Sequence, residues 1–158
     1  MSPERILDAA AGLFAEQGVN AVGMGEVARA AGCSRATLYR YFADRRELHV
    51  AFVHREARRI GRLVAAETDQ PAEAVLAAVR HVRAAPALLA WFGATDAGTT
   101  AELAQSSDVI QALGGGDDLE ARWLVRVIVS LLIVPGRDEA EERAMVETYV
   151  VPGLADRR

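Results

Sequence analysis

Residues 24–42, MGEVARAAGCSRATLYRYF, restrict the possible fold of this chain more than any other segment. Their apolar and small side chains recur at helical spacing, and Gly32 interrupts them where the chain has to turn. The side chains that would pack between two crossing helices are Val27, Ala28, Ala31, Cys33, Leu38 and Tyr41. This spacing predicts a helix-turn-helix, with helices at about 24–31 and 35–41, whose second helix can enter the major groove of DNA.

The second helix of this motif has a polar face. Arg35, Thr37, Tyr39 and Arg40 fall on the side that does not pack. Their guanidinium and hydroxyl groups suit phosphates and base edges. All eighteen basic residues of the chain are arginine, which binds phosphate or guanine through two parallel hydrogen bonds in a way that lysine cannot.

Composition predicts that the rest of the chain is helical too. The 158 residues are 51% hydrophobic, rich in alanine and only 6% aromatic, which favours helix and supplies enough apolar area for a core. Periodicity predicts about nine helices in an all-α fold, beginning near residues 3, 24, 35, 44, 71, 86, 100, 118 and 138. The glycines at 114–116 predict a hinge, and Asp117 a cap for the helix that follows.

Charge is distributed unevenly along the chain. Residues 1–62 carry ten arginines and seven acidic residues, whereas residues 63–158 carry eight arginines and fifteen acidic residues. The overall charge of −4 therefore hides a mildly basic front. Such an asymmetry suggests that the front faces a polyanion and that the remainder has another task.

Several classes of protein are disfavoured by what the sequence lacks. Cys33 is the single cysteine, so no intramolecular disulfide can form, and Cys33 itself fits a small buried core position. His49, His54 and His81 have no metal-ligand or catalytic spacing, and no nucleophile with a base or phosphate-binding loop is found. We therefore expect no enzyme, catalytic residue, metal site or cofactor. The longest apolar run, 123–134, is too short to cross a bilayer, and no leader sequence is seen, so we expect a soluble, cytoplasmic protein without a membrane partner.

A longer pattern carries a family resemblance. It places Ile6, Ala10, Leu13, Phe14 and Gly18 before the helix-turn-helix, and Phe42 and Leu48 after it. With the Thr37-Leu38-Tyr39 run, this order over about residues 5–50 resembles the TetR family of bacterial transcription regulators. The resemblance implies a homodimer that binds a palindromic double-stranded operator. It divides the chain into a three-helix DNA-binding domain at 1–45 and a C-terminal effector-binding and dimerisation domain at 46–158.

The resemblance also assigns DNA-contact positions. These are Arg35, Ala36, Thr37, Tyr39, Arg40, Tyr41 and Arg45, the last where the family usually has a phosphate-contacting lysine. One departure stands out. Relatives often begin the first motif helix with Thr and a polar or basic contact residue, whereas this chain has Gly23, Met24 and Gly25. We therefore expect little base reading from that helix and expect specificity to rest mostly on Arg35, Thr37 and Arg40.

Two further sites are predicted in the C-terminal part. An effector pocket would be lined by Trp91, Phe92, Trp123, Val127 and His81, although spacing alone favours core packing for the aromatic residues. The helices at 118–134 and 138–151 are apolar on more than one face, which predicts a four-helix dimer interface. Its candidate residues are Leu124, Ile128, Leu131, Leu132, Met145 and Tyr149.

Together these features predict a ligand-responsive transcriptional regulator. In such a family the regulator is most often a repressor, and a small apolar or amphipathic effector would release it from DNA. Two alternatives remain open. The C-terminal part is short for the family, so the first alternative is a DNA-binding regulator without a small-molecule pocket. A helix-turn-helix can also serve as a protein-interaction module.

Overall fold

The all-α fold is confirmed by a computed structural model, which describes residues 1–115 and 119–155. Across these residues the secondary structure is helical, without strands. The α-helices are α1 Pro3–Gln17, α2 Met24–Ala31, α3 Arg35–Tyr41, α4 Arg45–Glu67, α5 Pro71–Arg83, α6 Pro86–Ala94, α7 Ala97–Ala104, α8 Ser107–Gly114, α9 Leu119–Ile133, α10 Glu139–Met145 and α11 Val151–Ala155. The predicted hinge residue Gly116 and the predicted cap Asp117 lie outside the described residues.

The structure has more helical segments than the nine predicted. The helix expected at 100–113 is divided into α7 and α8, because the Ser106 hydroxyl accepts a hydrogen bond from the Val109 amide at 3.3 Å and starts a new helix there. Near the C-terminus, a π-helical segment, Val146–Val150, connects α10 and α11. A 3₁₀ turn, Val19–Ala21, also lies between α1 and α2.

The described chain groups into two compact units. The first unit contains residues 1–56 and 85–103, and the second contains residues 57–84 and the described residues from 104 onward. Helix α4 therefore begins in one unit and ends in the other. The two units are interleaved along the chain. The sequence instead predicted a single division at 45/46, and that division stays a prediction.

The first unit is built on an apolar core beneath the helix-turn-helix. Ser2 caps α1 by accepting from the Arg5 amide at 3.3 Å, and Phe14 of α1 lies edge-on to Phe52 of α4 with ring centroids 5.3 Å apart. Arg55 ties the same two helices together, because its guanidinium donates to Asp8 Oδ1 at 2.7 Å. These contacts fix the position of α4 on α1, the helix against which α2 packs.

The second unit contains an ion pair whose carboxylate is buried. Arg83 of α5 donates to both carboxylate oxygens of Glu142 of α10, at 2.7 and 2.9 Å, and to the Leu131 carbonyl at 3.1 Å. Glu142 is 3% exposed and also accepts from the Gly136 amide at 2.9 Å. The Arg83 guanidinium holds the pKa of the Glu142 carboxyl below its ordinary value. The pair thus joins α5 to the segment between α9 and α10.

Helices α4 and α8 approach each other closely within the second unit. A Cβ atom added to Gly61 would lie 2.0 Å from the Ala112 carbonyl oxygen. Only glycine fits there without a shift of backbone.

No single helix in the described part of the chain is both long and apolar enough to cross a membrane, although α5 and α6, bent at the break between them, meet the length and composition criteria when taken together.

Candidate nucleic-acid interface

The turn between α2 and α3 is fixed by local hydrogen bonds. Gly32 adopts the left-handed conformation at φ 71° and ψ 39°, which lets its amide and that of Cys33 bond back to the last turn of α2. Ser34 then caps α3, because its hydroxyl accepts from the Thr37 amide at 3.1 Å. The turn thus defines where α3 starts relative to α2. Cys33, expected in the core, is only half-buried at this corner.

Helix α3 has one buried and one exposed side. Leu38 is fully buried, and Phe42 just beyond the helix is nearly so. The exposed residues are Arg35, Ala36, Tyr39 and Arg40. Because residues i, i+1, i+4 and i+5 share one side of an α-helix, these four form a single outward surface, which we call the α3 face.

Two predicted contact residues are placed differently from the α3 face. Thr37 and Tyr41 are half-buried. The Tyr41 hydroxyl donates to the Met1 carbonyl at 2.7 Å, and the Thr37 hydroxyl lies 3.0 Å from that of Ser34. Both side chains therefore have roles within the fold at this position, and their contact with DNA stays a prediction.

Arg45 is exposed at the start of α4 and is also bound to the fold. Its Nη2 donates to the Val19 carbonyl at 2.6 Å, and its Nε donates to His49 Nε2 at 3.4 Å. Burial, together with the charge of Arg45, lowers the pKa of His49 to about 4, so the imidazole is neutral and can accept this bond. A guanidinium has five N–H donors, so Arg45 can hold the loop before α2 and still bind phosphate.

Other arginines near this surface have partners far away in the sequence. Arg46 forms an ion pair with Glu102 of α7, and Arg55 is bound to Asp8. Arg58, Arg59 and Arg62, which contribute to the basic excess of residues 1–62, belong to the second unit. Exposed arginines near the motif thus remain on α2, at Arg29, on α3, at Arg35 and Arg40, and at the start of α4.

The predicted effector residues are divided between the two units. Trp91 and Phe92 belong to the first unit, where their rings meet edge-on with centroids 5.4 Å apart. Trp91 is buried, and its indole N–H has no hydrogen-bond acceptor among the described residues. Trp123, Val127 and His81 belong to the second unit, and His81 Nε2 lies 2.5 Å from a Glu67 carboxylate oxygen. Their shared role as one pocket stays a prediction.

One groove in the second unit is lined by residues from both the predicted effector pocket and the predicted dimer interface. It has a volume of about 550 Å³ and lies between α9 and the last helical segments. Its lining includes Trp123 and Val127 from the predicted pocket together with Leu131, Met145 and Tyr149 from the predicted interface. Tyr149 is 78% exposed. We call this region the α9 groove.

Burial separates the predicted interface residues into two groups. Leu124, Ile128 and Leu131 are buried within the unit, Leu132 is half-buried, and Met145 and Tyr149 are exposed. Sequence reasoning missed the exposed apolar residues Leu119 and Ile133. Helical spacing places them with Trp123 on the outer side of α9, but a helix that is apolar on several faces gives no sign of which face turns inward.

Comparison with known proteins agrees with this geometry. Residues 6–52 match the family model described as bacterial regulatory proteins, tetR family. The HTH-type transcriptional regulator Rv1255c of Mycobacterium tuberculosis strain H37Rv is 48% identical over 171 residues, which cover 96% of this chain and 85% of that protein. The HTH-type transcriptional regulator AcrR of Shigella flexneri is 44% identical over 45 residues, which cover 28% of this chain and 21% of that protein.

Solved structures show the same fold. The TetR family repressor AlkX from Dietzia sp. strain DQ12-45-1b, implicated in biodegradation of n-alkanes, has a TM-score of 0.69 at 20% identity, covering 99% of this chain and 96% of that chain. The TetR-family repressor FadR of Thermus thermophilus, solved with lauroyl-CoA, has a TM-score of 0.56 at 20% identity, covering 97% of this chain and 95% of that chain. With a helix-turn-helix of the expected geometry and a relative so similar over most of its length, the chain belongs to the TetR family of bacterial transcription regulators.

Proposed function

We propose that this DNA-binding regulator is a homodimeric repressor, that it binds a palindromic operator, and that a small apolar or amphipathic effector releases it. The α3 face carries this proposal. Two arginines and a tyrosine are exposed on a short helix whose opposite side is buried, so the helix can present them to a groove without disturbing the core. Its N-terminal residues, beginning with Arg35, would contact base edges.

Dimerisation is supported by the outer side of α9. Leu119, Trp123, Ile133 and Val134 are exposed, large and apolar. Trp123 also lines the α9 groove together with Met145 and Tyr149. Exposed apolar side chains of this size support an interface. A second copy of the chain would bury the same surface from the other side. Both copies can bind one operator only if their α3 helices lie about one turn of DNA, ~34–36 Å, apart.

Effector control is supported by Trp91. Its indole N–H is buried without an acceptor among the described residues, and such a donor is unfavourable by roughly 1–3 kcal/mol. A carbonyl or carboxylate of a bound effector could accept from it. The fold neighbour FadR was solved with lauroyl-CoA, which supports an amphipathic ligand as the class of effector. To weaken DNA binding, the effector must prefer a state in which the two α3 helices no longer match successive grooves.

Selection from a pool of randomised 40-bp duplexes by the purified full-length chain tests the proposal. We expect an inverted repeat with half-site centres about 10 bp or a multiple apart. Its affinity should fall steeply as salt rises, because arginine–phosphate contacts release counterions. Lauroyl-CoA, with coenzyme A as the control, is the first effector probe in an anisotropy assay on the selected duplex. Enrichment of no sequence, or of a single asymmetric half-site, would contradict the operator and dimer parts of the proposal.

A further inference from the structure

Gly25, near the start of α2, lies directly beneath the Arg35 guanidinium. A Cβ atom added at Gly25 would be 2.3 Å from Nη2, 2.8 Å from Nε and 2.9 Å from Cζ of Arg35. Real carbon contacts are about 3.5–4.0 Å. The guanidinium therefore occupies the space in which any side chain at position 25 would have to begin.

The backbone gives no other reason for a glycine here. Gly25 lies within α2 and is not among the glycines with positive φ, which are Gly18, Gly32 and Gly115. Within a helix, glycine is less favourable than almost every other residue. What Gly25 supplies is space, and the group that fills this space is the charged end of a residue from the next helix.

This arrangement bears on the departure seen in the sequence. Gly23, Met24 and Gly25 give the start of α2 no polar or basic side chain. Arg35, the first residue of α3, places its guanidinium over that part of α2. One arginine of the second helix thus occupies the place of the side chain that the first helix lacks.

We propose that Gly25 is a specificity-determining residue, because it holds the Arg35 guanidinium in the position from which it reads a base. The inference rests on the proposed function, since it requires that the α3 face binds an operator. It also gives Gly25 an indirect part in base recognition, whereas the sequence predicted little contribution from the glycines of α2. Gly25 acts through Arg35 and touches no base itself, so it is a positioning residue.

The placement of the guanidinium is tested first, without DNA. In the full-length protein, the Arg35 Nε–H resonance, identified by its loss in Arg35→Lys, should move in Gly25→Ala. It should stay in Gly12→Ala, a matched control in α1 where an added Cβ meets nothing within 4 Å. Alanine favours helix at both positions, so both variants should melt no lower than the parent chain. An unmoved Arg35 resonance in Gly25→Ala would overturn the placement.

The base-reading part is tested by duplex selection with the parent chain, Gly25→Ala, Arg35→Ala and the double variant. We expect Gly25→Ala to reduce discrimination at one base pair of each half-site about tenfold, a loss typical of one bidentate contact. It should have no further effect when Arg35 is already alanine. An unchanged preference in Gly25→Ala, or an equal shift in both backgrounds, overturns the inference while the operator itself remains. Failure of the parent chain to enrich any sequence instead overturns the proposed function, and the base-reading role with it.

Discussion

The two units differ in which kind of group each leaves exposed to solvent. The first unit buries Leu38 and Phe42 beneath the α3 face, which exposes arginine and tyrosine. The second unit pairs the buried Glu142 carboxylate with half-buried Arg83, and it exposes tryptophan, isoleucine and tyrosine along α9 and the π-helical segment.

This difference indicates what each unit needs from its surroundings. A surface of guanidinium and hydroxyl groups is stable in water and can exchange water for phosphate. A contiguous apolar surface is stabilised only when another apolar surface covers it. The α3 face therefore needs no cover, whereas the exposed apolar residues of the second unit fit the association proposed above. The three substitutions below test this contrast, beginning with the largest expected effect.

The double substitution of Trp123 and Tyr149 by glutamate should break dimers. It places two charges in an apolar contact, so we expect the dimer dissociation constant to rise at least about 100-fold, roughly 3 kcal/mol. Sedimentation equilibrium at micromolar concentration measures it. Leu89→Glu is the matched control, since Leu89 is 46% exposed and Trp123 48%, but Leu89 belongs to the first unit. A double variant that stays dimeric, or a parent chain that is monomeric, would remove the association argument.

Glu142→Ala should destabilise the second unit by about 2–4 kcal/mol, because it leaves the Arg83 guanidinium and the Gly136 amide without their acceptor. Urea unfolding measures the loss. The pKa of the Glu142 carboxyl is lowered in the folded state, so its contribution is present above the ordinary glutamate pKa and disappears as the pH falls through the folded one.

The control for that substitution is Glu147→Ala, which breaks the exposed pair with Arg143 and should change stability by less than about 0.5 kcal/mol. Equal losses in both variants would show that burial of the Arg83–Glu142 pair adds nothing.

His49→Phe should remove a pH dependence from the first unit. Burial lowers the pKa of His49 to about 4 in the folded state, from an ordinary value of 6.5. Between these values the unfolded chain binds a proton that the folded chain does not, so stability falls as the pH drops from 6.5 to 4. After allowance for partial solvent exposure, we expect this loss to be about 1–2 kcal/mol.

In the His49→Phe variant the ring packing on Phe14 is kept, and thermal melts at pH 8 and pH 5 should differ less than in the parent chain. Identical pH profiles in the two proteins would rule out His49 as the source of the effect.

Local chemistry made the helix-turn-helix predictable. The bounds 24–31 and 35–41 agree with the structure, because Gly32 must adopt positive φ and Ser34 must cap α3 within a few residues of each other. Helical periodicity predicted Arg35, Tyr39 and Arg40 on the exposed side of α3, but it also placed Thr37 there, which is half-buried beside Ser34. The break at Ser106 was missed because the apolar spacing continues across it, and serine is compatible with either a helix interior or a cap.

Long-range partners could not be predicted. Arg46 pairs with a glutamate 56 residues away, and the Arg55–Asp8 bond spans 47 residues. The Gly25–Arg35 contact depends on the crossing of two helices and on one side-chain rotamer. On α9, composition showed that several faces are apolar, but only the packing of α5 and α8 determines that Leu124 and Ile128 face inward while Trp123 faces outward.

The missing methyl group at Gly61 has a mechanical consequence. Where two helices meet through side chains, rotamer changes can absorb a small displacement; where the two main chains touch, as at Gly61 and Ala112, there is nothing soft between them. A shift of α8 toward α4 at this point must therefore displace the backbone of α4 itself.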